Sequence, residues 1–108
     1  MLMQLPQQAS DIETGKLDEQ GIGYLLRRGF ALVQTNDGSR VYVHANTFRK
    51  VEREKGIYHF VRFPNRKAQE AALLGIKCCP EVALLDVKFA KSGGLRAKSW
   101  GIVPVVKQ

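Results

Sequence analysis

A strand puts residues i and i+2 on one face, and two stretches of this chain use that period to separate two chemistries. In residues 30–35, Phe30 and Leu32 share one face, while Ala31 and Val33 take the other together with the preceding Gly29. In residues 40–44, Tyr42 and His44 share a face opposite Val41 and Val43. Between them Asn36-Asp37-Gly38-Ser39 is a strong turn sequence, because Asn, Asp and Gly supply local side-chain hydrogen bonds and left-handed backbone. The pattern predicts a hairpin with one small aliphatic face, suited to a core. Its other face carries flat rings, which an ordinary soluble surface has little reason to display.

The remaining pattern predicts a sequence of short elements. Residues 1–12 are polar, contain Pro6 and show no period, so 1–14 reads as a flexible acidic leader and 15–108 as one folded domain. Residues 20–26 read as a first strand, with Gly21 and Gly23 permitting a bend or bulge, and Arg27-Arg28 as a short turn into the second. Residues 45–54 are charged and read as a loop or short helix. Residues 57–63 are β-prone and end at Pro64, so they form an extra strand. Asn65 can cap a helix over 66–74 that Gly75 ends, with Ala68, Ala71, Ala72 and Gly75 as a small packing face. Residues 81–90 and 95–106 are two further strands, joined through Ser92-Gly93-Gly94. Three strands, a helix and two strands is the order of the oligonucleotide/oligosaccharide-binding (OB) barrel. The fold class is mainly β: a small five-stranded OB-type barrel with one helix between strands three and four, and one extra strand.

Composition narrows the function. A chain of 108 residues is sized for one domain,. No stretch is apolar for the length a membrane helix requires, and the Gln-rich start has no signal-peptide pattern. Cys78 and Cys79 are adjacent, so they close no ordinary loop and supply no four-cysteine zinc site,. A reducing cytoplasm fits this usage. The formal charge of +7 is unevenly placed. Residues 1–20 carry four acidic side chains against Lys16 alone, a net −3; the rest carries sixteen basic against six acidic, a net +10. A body so basic favours polyanion partners through attraction and counterion release. Rings on a sheet face of a basic domain suit a single strand of nucleic acid, whose bases stack while its phosphates meet cations.

The segment resembles the cold-shock domain family. Arg28-Gly29-Phe30-Ala31-Leu32 stands where that family has its lysine-glycine-phenylalanine-glycine-phenylalanine motif, Asn36-Asp37-Gly38 where it has an aspartate-glycine turn, and Val41-Tyr42-Val43-His44 where it has valine-phenylalanine-valine-histidine. Gly23-Tyr24 is the nearest match to the family's tryptophan-phenylalanine. The tryptophan has no counterpart, and the second phenylalanine of the first motif is Leu32. The likeness covers residues 21–48. It implies a reduced OB barrel that binds single-stranded DNA or RNA without catalysis, with Phe30 at a base-stacking position.

Candidate stacking residues are therefore Phe30, Tyr42, His44 and Tyr24; for each the structural alternative is a place in the core or an idle surface. Arg27, Arg28 and Arg40 flank the ring strands and are natural phosphate contacts. Lys91, Arg96 and Lys98 surround the last turn and form a second tier. Arg49, Lys50, Arg53 and Lys55 alternate with Glu52 and Glu54, a pattern more typical of a solvated face. Tyr58 and Phe60 share a strand face that either extends the platform or joins the core, and Trp100 suits a barrel plug. No serine, histidine and aspartate spacing points to an enzyme, and His44, His59, Cys78 and Cys79 have no metal-binding spacing, so no cofactor or metal is expected. Two alternatives remain open: a protein-interaction adaptor using the rings as a hot spot, or an oligomeric single-stranded DNA coat that pairs through an edge strand as a homodimer or larger assembly.

Overall fold

The computed structural model describes residues 12–76 and 79–104. Its element order is β1 (Ile12–Lys16), α1 (Glu19–Arg28), β2 (Phe30–Thr35), β3 (Arg40–His44), a 3-10 turn (Ala45–Thr47), β4 (Lys50–Glu54), β5 (Ile57–Val61), α2 (Arg66–Leu74), β6 (Glu81–Phe89) and β7 (Leu95–Ile102). Five strands close a barrel in the order β1-β2-β3-β7-β6 and back to β1. The β3–β7 pair is parallel and the other four are antiparallel. With α2 between the third and fourth barrel strands, this is an OB-type barrel.

Two elements differ from the pattern-based reading. The first barrel strand is Ile12–Lys16, which begins inside the expected leader; residues 1–11 of that leader lie outside the described residues. Residues 20–26, expected as a strand, lie in the helix α1. Helix signals at both ends outweigh the glycines. The Asp18 carboxylate caps the start by accepting from the Gly21 amide at 2.7 Å. Glu19 occupies the first turn, Arg27 and Arg28 the last, and Gly29 ends the helix with a left-handed φ of 84°,. Gly21 is a packing residue, since a Cβ there would press on Leu17 Cδ1 at 2.7 Å. Arg27 and Arg28 are thus the final turn of a helix rather than an interstrand turn.

A third difference lies in 45–54. After the 3-10 turn, Lys50–Glu54 pairs antiparallel with Ile57–Val61 through the two-residue turn Lys55-Gly56, a hairpin turn sequence. The extra strand therefore comes with a partner. By contrast α2 spans the expected residues, capped by Asn65 Oδ1 on the Ala68 amide at 2.8 Å and closed by Gly75. Its contact face is Ala72, Leu73 and Ile76, packed on the core, while Ala71 and Gly75 are exposed; one leucine anchors it better than a stripe of small residues.

The interior holds Val33, Val41, Val43, Val82, Leu84, Leu17, Leu25 and Phe48 around Trp100, which is 0% exposed. Trp100 is the plug: its ring lies 4.7 Å from Phe48, and its indole Nε1–H donates to the His44 carbonyl at 2.7 Å. Core-facing positions step by three, not two, from Leu84 to Val87 and from Ala97 to Trp100. The β6 step coincides with Asp86 at φ 58°, a left-handed residue that lets the strand change face within the barrel. A second cluster forms on the outside. Val51, Tyr58 and Phe60 of the β4–β5 hairpin pack with Ala83 and Val103, so both rings of β5 belong to packing.

The hairpin lies against β7 because Gly101 has no side chain. A Cβ there would overlap the Arg49 carbonyl oxygen and a Val51 methyl. Gly101→Ala is expected to cost about 1–3 kcal/mol by overpacking, read by urea denaturation. Gly94→Ala, with nothing within 4 Å, should leave the midpoint unchanged.

The β2–β3 turn carries its own titration. The Thr35 hydroxyl and then the Ser39 amide donate to the Asp37 carboxylate and hold its pKa below the ordinary 3.8. A depressed carboxyl stabilises the turn above the unfolded pKa, and that help is lost as pH falls through the lower folded value. The Ser39 amide resonance should titrate with a midpoint below 3.8, and Asp37→Ala should abolish the transition.

Candidate functional site

The alternation of β2 and β3 survives in three dimensions. Ala31, Val33, Val41 and Val43 are buried, whereas Phe30 is 36% and Leu32 51% exposed. The register pairs Phe30 with His44, Leu32 with Tyr42, and Gln34 with Arg40. The outer face thus runs from rings at one end to polar groups at the turn. Phe30 and Tyr42, diagonal across the two strands, stand 5.6 Å apart with ring planes 22° from parallel. The His44 ring continues the series 6.4 Å from Tyr42.

Neighbouring elements bring charge to these rings. Parallel pairing places Arg96 of β7 beside Tyr42, with its guanidinium 5.3 Å from the ring centroid. Lys88 of β6 lies opposite Arg96, so Leu32, Tyr42, Arg96 and Lys88 form one transverse row over four strands. On the other side, β1 sets Lys16 against Gln34. Helix α1 raises a wall along the face. Tyr24 sits there with Arg28 4.7 Å and Arg27 5.7 Å from its ring, and Gln20 donates to its hydroxyl at 3.3 Å.

The wall and the face enclose a groove of about 570 Å³. Tyr24, Arg28, Phe30, Arg40 and Tyr42 line it, all five expected from sequence. Arg27, His44 and Arg96 adjoin it through their contacts with the rings of Tyr24 and Tyr42. Two expected residues stand apart. Lys98 lines a separate cavity of about 300 Å³ with Lys88, Phe89 and Arg96, and Lys91 is exposed at the β6–β7 turn and lines neither. Among the described residues, ion pairs join Lys50 to Glu52, Arg66 to Glu70 and Lys88 to Asp86. None engages the arginines of the groove.

Sequence reasoning missed Lys16, Gln34 and Asp18, which also line the groove. Gln34 had a signal, since it continues the Phe30–Leu32 alternation. Lys16 had none, because its strand was hidden by the assignment of 20–26. Phe89, 76% exposed at the end of β6, lies beyond the pattern that singled out β2 and β3. Among the described residues no three His, Cys, Asp or Glu side chains converge as a metal site; Cys78, named in one such combination, lies outside them. Among the described residues no helix is long and apolar enough to cross a membrane.

Comparisons with protein-family models, with curated proteins and with solved structures find no significant match to this chain. The chemistry of the groove therefore stands on its geometry: a row of ring faces, a floor of leucine and small residues, and guanidinium groups on three sides. Ring faces suit flat apolar groups, and guanidinium groups suit anions.

The wall depends on one cap. Asp18→Ala should cost about 1 kcal/mol by leaving the Gly21 amide without its acceptor, measured by denaturant unfolding. It should also loosen Tyr24, seen as faster exchange of the α1 amides than of those in β3.

Proposed function

We propose that this protein binds single-stranded nucleic acid, DNA or RNA, by stacking bases on the outer face of β2 and β3 and by holding the phosphates with arginines. The observation that carries the reading is the adjacent Phe30 and Tyr42 rings, exposed and half-buried respectively, on the outer face of a barrel that buries Ala31, Val33, Val41 and Val43 of the same strands. Rings on an outer face gain further burial when an apolar group covers them, and a flat group covers most of a ring face. Bases do so without regard to identity, each contributing roughly 1–3 kcal/mol. Arg28, Arg40 and Arg96 surround that row, and the net charge of +7 favours a polyanion,. A guanidinium already lying over a ring, as Arg96 does over Tyr42, is placed to stack on a base as well as to meet a phosphate.

The likeness of the β2–turn–β3 sequence to the cold-shock domain family supports the same reading, with Phe30, Tyr42 and His44 in the stacking row and Tyr24 contributed by a helix wall. Readout of sequence should be weak, because stacking accepts every base. Asp18, Gln20 and Gln34 along the groove offer hydrogen bonds that would add a modest preference.

The test is titration of labelled single strands of equal sequence, DNA and RNA, with duplex as control. Single strands should bind more tightly than duplex, and affinity should fall as salt rises. Phe30→Ala and Tyr42→Ala should each weaken binding by roughly 1–3 kcal/mol while leaving the fold intact, since both side chains lie outside the core. Folded variants that bind like wild type contradict the stacking face. A wild-type protein that ignores every strand at low salt, yet retains a protein partner after nuclease treatment, would move the rings to a protein interface.

A further inference from the structure

The groove is not the most concentrated basic feature of the fold. At the start of α2 a cavity of about 240 Å³ is lined by Arg49, Arg62 and Arg66, with Asn46, Asn65 and Gln69 between them. Three separate parts of the chain supply the arginines. Arg49 leads into β4, Arg62 follows β5, and Arg66 is the first residue of α2. None of the lining residues is acidic. Arg66 also pairs at 3.5 Å with Glu70, an exposed carboxylate one helical turn on that does not line the cavity.

Arg49 is held in place although its surroundings oppose its charge. Its Nη1 donates to the carbonyls of Asn46 at 3.2 Å and Phe48 at 3.0 Å. Burial pushes its pKa down, and the positive charge of Arg62 adds to the effect. Gln69 Nε2 donates to the Phe48 carbonyl at 3.1 Å, which fixes the cavity wall. Phe63, stacked on Phe48 at 5.4 Å, closes the apolar side. Like charges collected in a formed cavity are relieved by an anion, and planar guanidinium forks match phosphate oxygens. The positive end of the α2 dipole points the same way.

The cavity also lies close in the chain to the ring row. The amide of Asn46, a lining residue, donates to His44 Nδ1 at 3.0 Å. One turn of chain therefore separates the last ring of the row from the arginine cluster. We propose that this pocket holds a phosphate of the strand whose bases lie on Phe30, Tyr42 and His44, an inference that rests on the nucleic-acid reading above. It would fix where along the protein the strand passes, a role that sequence-tolerant stacking does not fill. The phosphate is either an internal phosphodiester or a terminal monoester, and both offer the same oxygens.

The experiment measures the salt dependence of affinity for one single strand with hydroxyl ends and for the same strand with phosphate ends. It compares wild type, the Arg62→Gln/Arg66→Gln double variant and Tyr42→Ala. Arg62 and Arg66 are exposed, so the double variant should fold, which Trp100 fluorescence checks. In the double variant the slope of log K against log salt should shrink by about 0.7 for each phosphate that the protein no longer neutralises. Tyr42→Ala should weaken binding at every salt concentration with the slope unchanged. An equal weakening for both strands assigns an internal phosphodiester to the pocket; a weakening confined to phosphate-ended strands assigns a terminal one. A wild type that binds, with an unchanged slope in the double variant, overturns the pocket and leaves the ring face standing. A wild type that binds neither strand overturns both.

Discussion

Trp100 is the side chain on which the other parts of the molecule depend. It fills the barrel interior, and its one polar atom must find a partner there, because an unpaired buried indole N–H costs free energy. The partner is the carbonyl of His44, the last residue of β3. One hydrogen bond thus satisfies the core and fixes the strand end that carries the ring row. The same residue anchors the hairpin, since the Trp100 carbonyl accepts from the Arg49 amide at 2.8 Å. The ring face and the arginine pocket are both attached to the core through the neighbours of a single tryptophan.

The barrel has to leave its rings outside for a simple geometric reason. In β2 and β3 the inward positions are already taken by Ala31, Val33, Val41 and Val43, and the interior is filled by Trp100 and Phe48. Turning Phe30 and Tyr42 inward would require a one-residue slip, which would also expose four aliphatic side chains. Register therefore fixes the platform, and the parallel β3–β7 pair then brings Arg96 to Tyr42. The insertions act on this face in different ways. Helix α1 walls it with Tyr24 and Arg28, while the β4–β5 hairpin packs against β7 and carries Arg49 and Arg62 at its two ends.

How much of this is legible in the sequence depends on whether a local rule decides the outcome. The β2–turn–β3 hairpin and α2 are legible because alternation, turn residues and an Asn cap act within a few positions of one another. The barrel class is legible from three strands before a helix and two after it, although the first of those strands is Ile12–Lys16 and not 20–26. Helix α1 is not legible as a helix, because Gly21 and Gly23 carry a propensity penalty that caps and tertiary packing on Leu17 override. Missing it also hides β1, and with it Lys16. The pairing of Lys50–Glu54 is obscured by its charge: only Val51 of that strand is buried, so no alternation announces it. Of the site, the rings and Arg28, Arg40 and Arg96 can be placed from sequence. The arginine pocket cannot, since Arg49, Arg62 and Arg66 meet only through the fold.

The most direct test of the stacking face is a proton–carbon NMR titration of the aromatic side chains with a short oligothymidine, which reads each ring separately. Stacking predicts ring-current shifts concentrated on Phe30, Tyr42 and His44, with Tyr24 responding from the wall and Trp100 unmoved inside the barrel. Shifts confined to Tyr58, Phe60 or Phe89, with the β2–β3 rings silent at saturation, would contradict it.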